Sequence, residues 1–311
     1  TDPAYNRAQE IINNSHKTGR RKLILLSGVP GSGKTLVGIR LSYESEFSKL
    51  ATTRIIPRSN GEFQELKPPN ASIFLSGNGP LVAVLKNALG RGSNQFIQDV
   101  RKYVQHHESG DKRVPLHHVI IFDEAQRAWD RDKVERRHKG AVEGSEPDMF
   151  IGMANRIPEW GAVVGLIGTG QEIHDGEESG LQQWVDAIEN TEGIDNWDIH
   201  APPGIIEQIQ TRNIQSYSEP LLTLNATIRT HFGEKLHHWV DGVLGHVETP
   251  YQDLVELYKQ LKDSGFKIYF TSNLRKAKMY LWNRYEKSPD ARYGMICSSR
   301  DKSLGNYGMK T

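Results

Sequence analysis

Eight consecutive residues, Gly28-Val29-Pro30-Gly31-Ser32-Gly33-Lys34-Thr35, follow the pattern G-x-x-x-x-G-K-[ST]. Glycines at these positions let a backbone curl so that several N–H groups face one phosphate. A helix starting at Lys34 adds its N-terminal dipole. In such a loop Lys34 reaches the β- and γ-phosphates of a nucleotide and the Thr35 hydroxyl ligates Mg²⁺. Chemistry of this kind needs a carboxylate for the metal and another for water. His118-Val119-Ile120-Ile121-Phe122-Asp123-Glu124 offers both at the end of an apolar run. Asp123 is expected to hold Mg²⁺ from a strand next to the loop, at the carboxyl edge where open α/β sheets bind ligands. Glu124 is expected to orient and deprotonate the attacking water. The plainer reading of the pair, two strand-end acids capping a helix, is the weaker one with the glycine loop upstream. Absence of an Asn-Lys-x-Asp sequence argues against a guanine-specific site.

The elements that must position these groups follow from periodicity. Apolar runs at residues 22–27, 72–75, 118–122 and 162–168 read as buried strands. Residues 4–15, 34–46, 80–89, 96–107 and 181–189 read as helices. Short, fully apolar strands alternating with helices predict a parallel sheet covered on both faces. Residues 48–70 and 127–158 read as polar excursions. Pro202-Pro203-Gly204 reads as a boundary, giving a first domain over residues 1–203 and a second α/β unit over 204–311. The second unit contains strand-like residues 221–224, 267–270 and 293–297 and a basic helix at 274–285. It reads as unfinished.

Composition limits the classes. The chain has 311 residues, enough for about two domains. Its mean hydropathy of −0.58 is that of a globular protein. The longest apolar runs, such as 162–167, fall far short of the roughly 18 residues of a membrane span. Cys297 is the single cysteine, so no internal disulfide can form, which suits a reducing cytoplasm. Thirty-nine basic and thirty-eight acidic residues cancel to +1, so attraction to nucleic acid must come from a local surface. The chain opens Thr1-Asp2-Pro3 and is read as part of a longer protein.

Several segments in combination resemble a known family. Asp123-Glu124-Ala125-Gln126 is similar to the DEAQ form of helicase motif II. Tyr5-Asn6-Arg7-Ala8-Gln9 resembles the Q motif of superfamily 1 helicases. Residues 165–171 resemble motif III, with Thr169 in place of the usual aspartate, so that only Gln171 carries over. Residues 222–229 resemble motif IV, which ends at Arg229. Phe74-Leu75-Ser76-Gly77-Asn78-Gly79-Pro80-Leu81-Val82, the segment 123–129 and Gly170-Gln171-Glu172-Ile173-His174 are similar to the Schlafen-like DNA/RNA helicase domain family, from about residue 9 to 229.

The resemblance implies a P-loop NTPase with a RecA-like parallel sheet and part of a second RecA-like domain. It implies a motor that hydrolyses ATP, with Mg²⁺, to move on single-stranded or partly duplex DNA or RNA. An attached nuclease and a role in phage defence are further implications, and a membrane is not. The cofactor residues carried over are Gln9 for adenine and Gly28, Pro30, Gly31, Ser32, Gly33, Lys34, Thr35 and Gln126 for the nucleotide. Gln171 and Arg229 face the γ-phosphate, the arginine from the second domain. Ser76 and Asn78 stand where motif Ia contacts a strand, although a turn through Gly77 and Gly79 explains them equally. Motifs V and VI do not occur before Thr311.

Two other functions stay open at this point: a non-motor ATPase switch gating a nuclease or partner, and a slow nucleotide sensor. Trp129, Trp160, Trp184 and Trp239 read as core rather than base-stacking groups. The adjacent histidine pairs His106-His107, His117-His118 and His237-His238 do not read as metal sites.

Overall fold

In the computed structural model, residues 2–29, 31–43, 45–57, 62–90, 92–138, 144–168, 180–224, 232–245 and 248–286 are described. The chain divides into two units, Thr1–His231 and Phe232–Thr311.

The first unit contains helix α1 (Asp2–Thr18), strand β1 (Arg21–Gly28) and α2 (Lys34–Tyr43). A hairpin, β2 (Arg54–Pro57) and β3 (Phe63–Leu66), follows. After it come β4 (Ser72–Ser76), α3 (Gly79–Leu89), β5 (Ile97–Asp99), α4 (Val100–Glu108) and β6 (Val119–Phe122). Next are α5 (Arg131–His138), α6 (Glu146–Arg156), β7 (Ala162–Gly168), α7 (Gln182–Glu189), β8 (Trp197–Ala201), α8 (Pro203–Ile206), β9 (Gln215–Ser218) and β10 (Thr223–Leu224). The main sheet runs β5-β4-β6-β7-β1-β8-β9 with every pair parallel, and β10 joins β1.

Alternation along each strand divides the core between the two faces of the sheet. Leu23, Leu25, Ile120, Phe122 and Val163 join a cluster with Val104 of α4, Phe150 of α6 and Trp184 of α7. Ile24, Leu26, Ile121, Val164 and Leu166 join the opposite cluster with Ile11 and Ile12 of α1 and Val37 and Leu41 of α2. Both faces are therefore covered, as runs of apolar residues without polar interruption require.

Three differences from the sequence expectations have physical causes. Residues 96–107 are not one helix. Ile97–Asp99 pair with β4, and Asp99 then caps α4 by accepting hydrogen bonds from the Arg101 and Lys102 amides. The stretch 127–158 is not a polar excursion throughout. Ser145 and Asp148 form a capping box, and α6 buries Met149, Phe150, Ile151, Met153 and Ala154 in the core.

The boundary drawn at residue 203 falls inside the first unit. Pro202 and Pro203 start the short helix α8, and the chain returns to add β9 beside β8 and β10 beside β1. Residues 221–224 therefore belong to the first sheet, not to a second one.

The second unit contains α9 (Phe232–Val243), α10 (Tyr251–Asp263) and α11 (Leu274–Tyr285). Trp239 of α9 packs on Tyr258 of α10 and on Phe270, with ring centroids 5.9 and 6.2 Å apart. Residues 267–270, expected as a strand, form none and pair with none among the described residues. Residues 293–297 lie outside the described residues. Among the described residues no helix is long and apolar enough to cross a membrane.

The opposite end of the sheet from β1's glycine loop holds buried histidines. His118 leads into β6 and stacks on Trp160, with ring centroids 4.5 Å apart. Its Nδ1 donates to Trp160 O at 3.0 Å, and its Nε2 accepts from Thr52 Oγ1 at 2.9 Å and from Arg54 at 3.1 Å. That arrangement requires a neutral ring. Burial lowers His118 and His117 to about 4 and His107 to about 3. Unfolded chains take up these protons near pH 6.5, so the folded state binds fewer protons below that pH. Stability is therefore fully present above about pH 6.5 and is lost as pH falls. Two pKa units on one group correspond to about 2.7 kcal/mol. Thermal unfolding is expected to show a steep fall in Tm between pH 6.5 and 5, above the range where most carboxylates protonate. A Tm that stays flat through that window would show that these imidazoles charge without unfolding.

Candidate functional site

β1 ends at Gly28 and α2 begins at Lys34, so the glycine loop joins a central strand to a helix N-terminus. Gly31 and Gly33 take φ of 81° and 96°, in the left-handed region that favours glycine. Ser32 N donates to Val29 O at 3.1 Å, and Val37 N to Gly33 O at 3.0 Å, which closes the turn and starts the helix. A Cβ on Gly28 would lie 2.4 Å from Ser32 Oγ and 2.9 Å from Leu224 Cβ, so only glycine fits there. Lys34 is buried, and its Nζ donates to Gly28 O at 2.7 Å and Val29 O at 3.1 Å. Burial lowers its pKa, and the charges of Glu124 and Asp123 oppose that shift. Pro30 lies outside the described residues.

Asp123 continues β6. Its N–H donates to Leu75 O at 2.9 Å, which fixes the carboxyl group at the carboxyl edge of the sheet. Thr35 Oγ1 donates to Asp123 Oδ1 at 3.5 Å. Burial, and then the charge of Glu124, raise the Asp123 pKa to about 6, with Lys34 opposing.

Glu124 takes φ of 59°, a left-handed conformation that costs a non-glycine residue energy. Gln126 holds the result with both ends of its amide. Its Nε2 donates to Glu124 Oε2 at 2.5 Å, and its Oε1 accepts from Gly168 N at 2.9 Å. Arg127 Nε lies 3.8 Å from Glu124 Oε2. Gln126, expected on the nucleotide, ties the second acid to the end of β7.

The acid strand is not the immediate neighbour of the loop strand, as expected from the sequence. β7 lies between them, pairing with β1 up to Gly28 and Gly168 and with β6 up to Phe122 and Gly165. All these strands still end on one edge, so Lys34, Thr35, Asp123, Glu124 and Gln126 come together there.

Ser76 and Asn78 end β4 and open α3. Both line a cavity of about 550 Å³ that Asp123 and Glu124 also border. Their acceptor atoms are engaged locally: Ser76 Oγ accepts from Asn78 N at 3.2 Å, and Asn78 Oδ1 caps α3 through Leu81 N at 3.1 Å.

Gln9 sits half-buried on α1, and among the described residues no hydrogen bond ties it to the loop. The helix itself is anchored. Arg7 donates to both carboxylate oxygens of Glu219, at 2.8 and 2.9 Å, and His200 Nδ1 lies 2.9 Å from the same carboxylate. Gln171 and Arg229 lie outside the described residues. β10 ends with Leu224 in register with Gly28, and the boundary between units at residue 231 follows Arg229 instead of preceding it.

The sequence reading missed Arg127, Arg101 and the Arg7–Glu219 pair. Arg127 directly follows the acidic motif and was within reach of inspection. Arg7 and Glu219 are 212 residues apart, and nothing local signals their pairing. Among the described residues no cluster of three or more His, Cys, Asp or Glu is placed to hold a metal.

A parallel sheet of this strand order, with a glycine loop and lysine at β1 and an acid pair at β6, defines a P-loop protein with a RecA-like fold. The chain belongs to a helicase family: the description "Schlafen group 3, DNA/RNA helicase domain" matches residues 21–311. A comparison with curated proteins finds no match. Among solved structures, the chain is similar to the Hef helicase domain of Pyrococcus furiosus at 13% identity and a TM-score of 0.32. That match covers 88% of this chain, which spans 55% of the length of the solved one.

Proposed function

We propose that this chain is the motor region of a helicase or translocase that hydrolyses ATP to move on DNA or RNA. One observation carries the reading: Lys34, Thr35, Asp123 and Glu124 converge on one edge of the sheet, with Thr35 Oγ1 3.5 Å from Asp123 Oδ1. The groups present fit a magnesium nucleotide. Ser32 Oγ is buried without a hydrogen-bond partner among the described residues, inside the cradle that Gly28 leaves open. The Thr35 hydroxyl and the Asp123 carboxylate are the hard oxygen donors that Mg²⁺ prefers.

In this reading Lys34 leaves its carbonyl partners to grip the β- and γ-phosphates, and Asp123 and Thr35 hold the cation. Glu124 orients the attacking water and accepts its proton. Bound magnesium neutralises charge that develops on the phosphate oxygens. Gln9 pairs with adenine, Gln171 senses the γ-phosphate, and Arg229 grips it. The second unit is part of a second RecA-like domain, and the protein works in a reducing compartment, the cytoplasm.

Lys34→Ala tests the reading. Lys34 ends in a polar cradle outside both apolar clusters, so the variant is expected to fold. Its ATP turnover should fall to background, as measured by phosphate release beside a circular-dichroism melt. Turnover near that of the unaltered chain would remove the glycine loop from the reaction.

A further inference from the structure

Helix α1 lies on the sheet over two different surfaces. One is apolar, where Ile11 and Ile12 join Ile24 and Leu26. The other is a row of buried charges on the β8 side. Asp198 pairs with Lys22 and Arg20, and two residues further along β8 His200 meets Glu219.

Glu219 is buried, and both of its carboxylate oxygens are engaged. Arg7 of α1 donates to them through Nε at 2.8 Å and Nη2 at 2.9 Å, and His200 Nδ1 lies 2.9 Å from Oε1. An ionised carboxylate only accepts, so His200 donates from Nδ1. A buried pair of this kind adds little net stability, and its better-attested use is to fix one arrangement. Two parallel bonds from a planar guanidinium set direction as well as distance. They therefore set the rotation of α1 about its axis, and Gln9, two residues on, turns with Arg7.

The backbone of Glu219 is fixed as well. Its N–H donates to Ala201 O at 2.8 Å, and Leu222 N donates to Glu219 O at 3.0 Å. Leu222 joins the cluster of Tyr5, Ala8 and Ile12 from α1. Leu224, five residues after Glu219, stands in register with Gly28 and close enough to exclude a Cβ there. One carboxylate thus joins the helix that bears Gln9 to the strand behind the phosphate loop.

Resting on the proposed function, we propose that Glu219 is a positioning residue for base selection: through Arg7 it sets where Gln9 stands relative to the phosphate loop. Its own oxygens are taken, so it acts on the nucleotide only through α1.

Competition by ATP and by GTP against an ATP analogue labelled on its ribose, with Mg²⁺ and residues 1–311, tests this. Glu219→Gln fills the same space but presents one acceptor oxygen where Arg7 and His200 use two. It should weaken ATP about five- to hundredfold, the range of one bidentate contact to a base, and leave GTP within about twofold. Arg7→Gln, at a side chain 33% exposed, should do the same, and it decides the matter where circular dichroism shows Glu219→Gln unfolded. Adding Arg7→Gln to Gln9→Ala should cost little beyond Gln9→Ala alone, because both remove the same contact. Equal weakening of ATP and GTP would make Glu219 a support for the fold and overturn the proposal. So would an ATP preference that both variants keep, or that the unaltered chain lacks. Absence of any nucleotide binding to the unaltered chain would remove both the proposal and the reading on which it rests.

Discussion

Glutamine in place of Glu124 should leave nucleotide binding intact and lower ATP turnover by about 10²–10⁴-fold, the usual contribution of a positioned general base. The substitution keeps the size of the side chain and its capacity to accept a hydrogen bond from Gln126, but removes the proton acceptor. Asn in place of Asp123 should act differently. It removes charge from the buried group that Thr35 touches, so Mg²⁺-dependent nucleotide binding should weaken first. Equilibrium binding of a fluorescent ATP analogue with and without Mg²⁺, beside single-turnover hydrolysis, separates the two. The opposite pattern would exchange the roles of the acids.

Arg229→Ala should give the second large effect. A guanidinium stays charged and can grip two phosphate oxygens at once. Its value is greatest where charge develops on the γ-phosphoryl group, and comparable arginines contribute about 10³–10⁵ in kcat. The structure adds a reason to look here: β10 ends beside Gly28, five residues before this arginine. Hydrolysis should collapse while ATP affinity changes by no more than a few-fold. Equal losses in affinity and rate would make Arg229 a ground-state binding group instead.

The chemistry-bearing residues were legible because their motifs are local. A glycine loop between strand and helix, and two acids after an apolar run, announce themselves within a few residues. The four central strands were legible for the same reason, being short and apolar throughout. Helix α6 was not, because its apolar residues sit inside a long polar neighbourhood and its cap, Ser145 with Asp148, is a weak signal alone. The end of the first unit was missed because a Pro-Pro-Gly sequence marks a turn as readily as a domain boundary. Only the sheet decides, through pairings of β9 and β10 with strands far away in sequence. The tie made by Gln126 was likewise invisible, since the donor to its amide oxygen is the N–H of Gly168, 42 residues on.

The pairing of β1 has a consequence for the order in which the protein assembles. Its first half borders β8, from Arg21 to Ile24, but at Ser27 and Gly28 the neighbour becomes β10. The backbone just before the phosphate loop is thus completed by residues almost 200 positions later. Closing so long a loop costs entropy before any contact repays it. A growing chain can lay down the strands that bear Asp123 and Gly168 early. It cannot finish the loop's surroundings until Leu224 has left the ribosome, so the finished edge of the sheet around the loop is among the last features the nascent first unit acquires.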